Sequence, residues 1–243
     1  MKIIRFDSID STNSEALRRL PEFEDMTVLW ALEQTAGRGQ RGNSWFSAPG
    51  ENLTFSIVLK RPFKVADSHF LNYAIAESLA DFLGSCGVRP SVKWPNDIYV
   101  GRKKISGVLI ENSLVGDRLA ASVVGVGFNV NQKEFPQLAN ATSLTLCSGR
   151  VHDLEECLKG IVGRFEKNLS SLESPHERAL LFESYSSHLF QRGVVSHYRD
   201  MASGEEFRGV IEGVDPEDGR LRISNLDNNK TVLYRFKEVS YIL

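Results

Sequence analysis

No run of eighteen apolar residues occurs in the 243-residue chain, so no helical membrane span is encoded. The opening Met1-Lys2-Ile3-Ile4-Arg5-Phe6-Asp7 lacks the long apolar stretch of a secretory signal. Cysteine is scarce. Cys86, Cys147 and Cys157 are an odd number without metal-ligand spacing, which fits a reducing, cytoplasmic compartment better than a disulfide framework. Excess positive charge is missing too: 29 lysines and arginines face 31 aspartates and glutamates, so the chain is not a phosphate-tracking nucleic-acid binder and any basic site must be local. The five histidines show neither triad nor metal spacing. Internal repeats and low-complexity tracts are absent, and a hydrophobic content of 42% suffices for a core that needs no staples.

What is present is an alternation of strand and helix patterns. After a short first strand, Thr12 and Glu15 have capping-box spacing, and Ala16, Leu17 and Leu20 supply a helical face. Thr27 to Glu33 and Leu53 to Leu59 read as strands, the second from its alternating Leu53, Phe55, Ile57 and Leu59. Phe70 to Leu83 has helical spacing and ends near Gly84 or Gly87. Three strands are expected at 91–94, 105–112 and 119–130, then helices at 153–172 and 175–189, the latter opening on Pro175. From Gln191 onward short strands at 206–212, 219–225 and 230–236 alternate with turn signals. The expected architecture is α+β: a mixed sheet packed with helices over residues 1–190, followed by a small all-β module over 191–243.

Four stretches carry residue types suited to chemistry. Gln34 to Trp45 packs Gly37, Gly39 and Gly42 with Arg38, Arg41 and an aromatic between two strands. Glycines let backbone N–H groups approach phosphate oxygens, arginines supply forked donors, and a tryptophan can stack on a base. It is neither a Walker loop nor a dinucleotide fingerprint, and a flexible hairpin with solvated arginines explains the composition as well. Lys93-Trp94-Pro95-Asn96-Asp97 lies where proline ends a strand; a surface turn capped by Asp97 is the simpler alternative. In Lys104-Ile105-Ser106-Gly107 a glycine interrupts an apolar strand, the mark of a bulge or a close approach. Gly125-Val126-Gly127-Phe128-Asn129-Val130-Asn131 closes another strand with two glycines and two amides.

Taken in this order, with Ser11-Thr12-Asn13 near the start, these stretches resemble the biotin protein ligases. The Lys-Trp-Pro-Asn-Asp run together with the Gly-Arg-Gly loop and its following tryptophan is a specific combination. The resemblance covers the first domain, whose fold would be the class II synthetase-like catalytic domain shared by biotin and lipoate ligases, and the last module is similar to the family's SH3-like barrel. It implies an ATP-dependent ligase that adenylates biotin, releases pyrophosphate and passes the biotin to a lysine of a biotin carboxyl carrier protein domain. Lys93 would lie between the biotin carboxylate and the α-phosphate, with Arg38, Arg41 and Lys104 around them and Mg²⁺ on the other phosphate oxygens, Asp97 being its candidate ligand. Ser11, Thr12, Asn13, Gln34, Gly37, Arg38 and Gly107 would bind biotin; Gly39, Arg41, Trp45, Asn96, Asn129 and Asn131 would face the adenylate.

Some family members carry an N-terminal helix-turn-helix and act as repressors. Here Ser11-Thr12-Asn13 falls too early for such a domain, so the form without it is expected, with no nucleic-acid or membrane partner. Gln40 and Asn43 stand where many bacterial members have arginines, which lowers the loop's charge. The resemblance also suggests a homodimer formed through a sheet edge. A lipoate ligase or octanoyl transferase is the nearest enzymatic rival, and a non-catalytic scaffold the alternative from another class.

Overall fold

The computed structural model describes residues 1–61, 63–136 and 138–242; the side chain of Arg41 lies outside the described set. In chain order the elements are β1 (Lys2–Ile9), α1 (Thr12–Arg18), β2 (Thr27–Gln34), β3 (Leu53–Leu59), β4 (Phe63–Lys64), α2 (His69–Ser85), β5 (Pro90–Lys93), β6 (Asp97–Val100), β7 (Lys103–Val115), β8 (Arg118–Phe128), α3 (Leu144–Ser148), α4 (Leu154–Ser171) and α5 (Pro175–Ser187). Five strands follow: β9 (Val195–Asp200), β10 (Glu206–Val214), β11 (Leu221–Asn225), β12 (Lys230–Tyr234) and β13 (Val239–Ile242).

The first eight strands form one sheet in the order β1-β2-β3-β8-β7-β6-β5, with β4 paired to β8. It is mixed, because β1 and β2 run parallel while β2 and β3, β3 and β8, and β7 and β8 are antiparallel. β3 is buried along its whole length, as expected of a central strand with both faces covered. One face carries α2, which packs against α4 and α5 and is buried around most of its circumference. On the other face α1 contributes Ala16 to a smaller cluster with Phe23, Leu29, Val58 and Val123. The last five strands make a separate antiparallel sheet, β12-β11-β10-β9-β13. This is the α+β arrangement the sequence led us to expect. Among the described residues, no helix is long and apolar enough to cross a membrane.

Local readings fared unevenly. Ser174 and Asp153 cap α5 and α4 as short polar residues do, each accepting from a backbone N–H three residues on. The capping box expected at Thr12 is displaced by one residue: Ser11 is the cap, accepting from Ser14 N, and Thr12 turns inward. Five elements had no reading: β4, β6, β9, β13 and α3. The two to six residues of each are too few to display a period, and β4 and β13 pair only with strands far away in sequence.

The end of α5 is tied to the first sheet. Val92 N donates to His188 O at 2.7 Å and Phe190 N to Val92 O at 2.9 Å, so the chain brackets β5 before entering the second sheet. Beneath this, the carboxylate of Glu77, 1% exposed, accepts from Ser184 Oγ at 2.6 Å and faces His188 Nδ1 at 2.9 Å. That hydrogen bond raises the His188 pKa above the ordinary imidazole value against the opposing effect of partial burial, and Asp81 adds in the same direction. A raised folded-state pKa means that the stabilisation is fully present below the unfolded value and is lost as pH rises through the folded one. We therefore expect His188→Gln to lower the melting temperature most at pH 5–6 and progressively less toward pH 9. Equal destabilisation across that range, read by thermal melts, would contradict the linkage.

Candidate active site

β7 and β8 are registered so that Gly107 lies opposite Gly127 and Leu109 opposite Gly125. The glycines leave a trough that two side chains from other elements enter. A Cβ on Gly125 would stand 2.1 Å from Asn13 Oδ1, and one on Gly127 would stand 2.2 Å from Trp45 Cε2. Trp45 thus lies on the β8 floor, its Nε1 buried without a hydrogen-bond partner among the described residues. Over this floor opens a cleft of about 210 Å³, walled by α1, the end of β2, the 37–45 loop, β7 and β8.

The loop is a tight hairpin. Gly39 N donates to Asn43 O at 2.7 Å and Trp45 N to Gly37 O at 2.9 Å. Gly37 is required sterically, because a Cβ there would meet Trp45 O at 2.4 Å. At the α1 corner, Thr12 donates through its N–H at 2.7 Å and its hydroxyl at 3.1 Å to Gln34 Oε1, which fixes the glutamine amide. Ser56 Oγ, fully buried, lies 2.7 Å from Thr12 Oγ1 and donates at 2.5 Å to Asn13 Oδ1.

Among the described residues two cations, Lys104 and Arg38, reach the cleft, and both are paired. Lys104 Nζ lies 2.6 Å from Asp97 Oδ2 and 5.8 Å from the centre of the Trp45 ring. Arg38 forks onto Glu111, at 2.7 Å to Oε1 and 3.2 Å to Oε2. Gln40 crosses from the loop to Val108 O at 3.0 Å and Asn96 Oδ1 at 3.3 Å.

Of the residues singled out in the sequence, Ser11, Thr12, Asn13 and Gln34 line the cleft at the α1 corner; Arg38, Gly39 and Trp45 line it from the loop, and Asp97, Lys104 and Gly107 from the sheet. Gly37 shapes the loop behind them. Lys93 does not line it. Its Nζ sits 5.3 Å from the Tyr99 ring centre and 4.8 Å from that of Tyr241 in the second sheet, in a neighbouring cavity. Burial lowers the Lys93 pKa and nearby Lys104 adds to this, while Asp97 opposes it. Trp94 also faces the second sheet, donating from Nε1 to Gly219 O at 3.0 Å.

Asn96 joins Gln40 and Asn72 outside the cleft. Asn129 and Asn131 are committed to backbone partners, Thr142 O at 3.0 Å and His152 O at 2.8 Å, and neither lines the cleft. The Arg41 side chain lies outside the described residues. The sequence reading passed over Glu111 and Ser56, and noted Gln40 only as a loss of loop charge. Strand parity could have found the first, since Gly107, Leu109 and Glu111 share one side of β7.

A family model described as the biotin/lipoate A/B protein ligase family matches residues 4–129, slightly more than half of the chain, and the chain belongs to that family. Among its relatives, the biotin--[acetyl-CoA-carboxylase] ligase of Mycobacterium tuberculosis is 32% identical over 219 residues, covering 87% of this chain and 79% of that protein. The bifunctional ligase/repressor BirA of Bacillus subtilis is 30% identical over 198 residues, 79% of this chain and 59% of the relative. For the ligase of Paracoccus denitrificans the figures are 38% over 124 residues, 50% and 51%. The chain thus spans only about half to three-fifths of the latter two. The solved biotin protein ligase from Aquifex aeolicus in complex with biotin and ATP superposes with a TM-score of 0.80 at 27% identity, covering 98% of this chain and 97% of that one.

The glycine floor makes a direct prediction. Gly127→Ala should lift the Trp45 ring from β8, giving more iodide quenching of tryptophan fluorescence, because Trp30 and Trp94 are buried. Unchanged quenching would show that the ring does not depend on that space.

Proposed function

We propose that this chain is a biotin protein ligase, joining biotin to AMP and then to a lysine of a biotin-dependent carboxylase's carrier domain. The observation that carries the reading is the layout of the cleft. At one end Asn13 lies against Gly125, next to the amide and hydroxyl corner that Thr12 makes with Gln34; at the other, about 7 Å further along the strand, Trp45 lies against Gly127 and Lys104 against the facing Gly107. A ureido head followed by an apolar tail and a carboxylate suits such a polarity: placed donors and acceptors at one end, cation at the other. The names of the relatives and the biotin and ATP of the superposing complex support the same substrates.

Adenylation brings a carboxylate against the α-phosphate of ATP; at ~4 Å and an effective dielectric near 20 the repulsion is about 4 kcal/mol. Lys104 is the cation placed to offset it, a role that the sequence resemblance gave to Lys93. Arg38 stands across the cleft as the second. The carboxylate oxygen attacks phosphorus, pyrophosphate leaves, and the carrier's uncharged amine then attacks the activated carbonyl and expels AMP. Trp45 over the floor and the hairpin loop shield the anhydride from water.

Among the described residues there is no cluster of three or more His, Cys, Asp or Glu groups fit to hold a metal. The lone carboxylate of Asp97 beside Lys104 suits Mg²⁺ carried in on nucleotide phosphates, which needs only one or two protein carboxylates. Asp97 would hold it, and bound there it would neutralise phosphate charge.

The first experiment measures pyrophosphate release with ATP and Mg²⁺ and with biotin, lipoate or octanoate offered separately. Release with biotin is expected; release with lipoate or octanoate alone would overturn the substrate. Lys104→Ala should slow biotin-dependent release by about 10²–10³, the effect of deleting one preorganised electrostatic contact. Lys93→Ala should slow it by less than about tenfold, since one such contact is not lost. The reverse ranking in single-turnover assays would return the central role to Lys93.

A further inference from the structure

Glu111 is the acidic side chain to which the cleft's arginine is fastened. Its carboxylate takes three donors: both arms of Arg38 and, at 2.9 Å on Oε2, the amide of Asn13. Asn13 is itself immobilised. It is 4% exposed, its Nδ2 also donates to Leu109 O at 3.2 Å, its Oδ1 accepts from Ser56, and Gly125 leaves it no space to spare. A hydrogen-bonded chain therefore runs from the buried centre of β3 through Asn13 and Glu111 to an arginine on a glycine-rich loop.

Such a chain restricts where the guanidinium can point. Arg38 is 44% exposed, and a free arginine on that hairpin would sample many rotamers at entropic cost to anything it binds. Clamped by two donors on an anchored carboxylate, with a longer contact from Nη1 to Ser14 Oγ at 3.4 Å, it keeps two of its five N–H groups for another acceptor. Glu111 need not be displaced when an anion enters. Carboxylates beside an anion site ordinarily oppose binding; here the negative charge is spent on the guanidinium fork and one amide, so its main effect is geometric.

We propose that Glu111 is a positioning residue, holding Arg38 by one edge so that its remaining N–H groups face the anionic centre formed during adenylation. This rests on the adenylation reading. The test is a double-mutant cycle on acid-dependent pyrophosphate release by the full chain, with KM and kcat separated. Glu111→Gln, which keeps the size of the side chain but breaks the two-armed ionic clamp, should lower kcat/KM about tenfold. Arg38→Ala should lower it further, and Glu111→Gln with Arg38→Ala should lose no more than Arg38→Ala alone. A double-variant loss equal to the product of the single losses would mean that Glu111 acts independently of Arg38 and would overturn the proposal.

A second readout does not depend on turnover. In the ligand-free protein Glu111→Gln should speed tryptic cleavage after Arg38 or Arg41, with thermal melts confirming that the protein is folded. Unchanged cleavage and unchanged kcat/KM together would also overturn it. If Glu111→Gln does not fold, Glu111→Asp, too short to reach both Arg38 and Asn13, carries the same cycle. Wild-type protein that releases no pyrophosphate with any acid would instead overturn the adenylation reading, and the proteolysis result would still decide whether Glu111 holds the loop.

Discussion

Everything at the cleft depends on a steric vacancy built into two neighbouring strands. Gly107 and Gly127 face one another across the β7 and β8 ladder, and Gly125 lies two residues away on the same side of β8. Strand interiors ordinarily avoid glycine, which costs conformational entropy and packs nothing. The cost is offset because the freed space admits Asn13 and Trp45, the first carrying the fixed corner from α1 and the second closing the trough from the loop. Any side chain at either β8 glycine collides with a wall of the site. The register of β7 on β8 is thus as much a part of the chemistry as the polar residues that line the trough.

The electrostatic design is one of paired charges. Arg38 has Glu111 and Lys104 has Asp97, so neither cation at the walls is left bare in the resting protein. Half-exposed pairs of this kind contribute little to stability by themselves. Their value lies in orientation: a carboxylate held by a strand or a turn presets the angle at which its cation meets a newcomer. The overall charge of −2 is compatible with this, since attraction is generated locally and not by the field of the whole molecule.

Much of this was legible beforehand, and unevenly so. The long periodic segments, β3, α2, α4 and α5, were readable because one face of each must be buried. The motif-bearing stretches identified the family, yet order along the chain does not say which way a side chain points. The resemblance put Lys93 at the centre and Lys104 beside it. Lys104 enters the cleft because it lies on the strand that carries Gly107, while Lys93 is drawn between Tyr99 and Tyr241, the latter supplied by the last strand of the chain. Asn129 and Asn131 resemble ligand contacts in sequence but are consumed in tying down backbone at Thr142 and His152. Glu111 escaped notice because one acid in a long strand has no signature until its partners are known.

The bond from Trp94 Nε1 to Gly219 O joins a residue of the specific Lys-Trp-Pro-Asn-Asp run to a turn of the second sheet. A Cβ on Gly219 would stand 2.9 Å from His69 Cβ, so that turn is fitted to α2 as well. The two sheets are therefore not interchangeable parts. A chimera that took its last fifty residues from a distant relative would have to bring along a glycine at this turn and a tyrosine at the position of Tyr241, or else rebuild the surface that meets them. A change in that turn is therefore felt at a motif more than a hundred residues earlier in the chain, and the small module sets part of the surroundings of the large one.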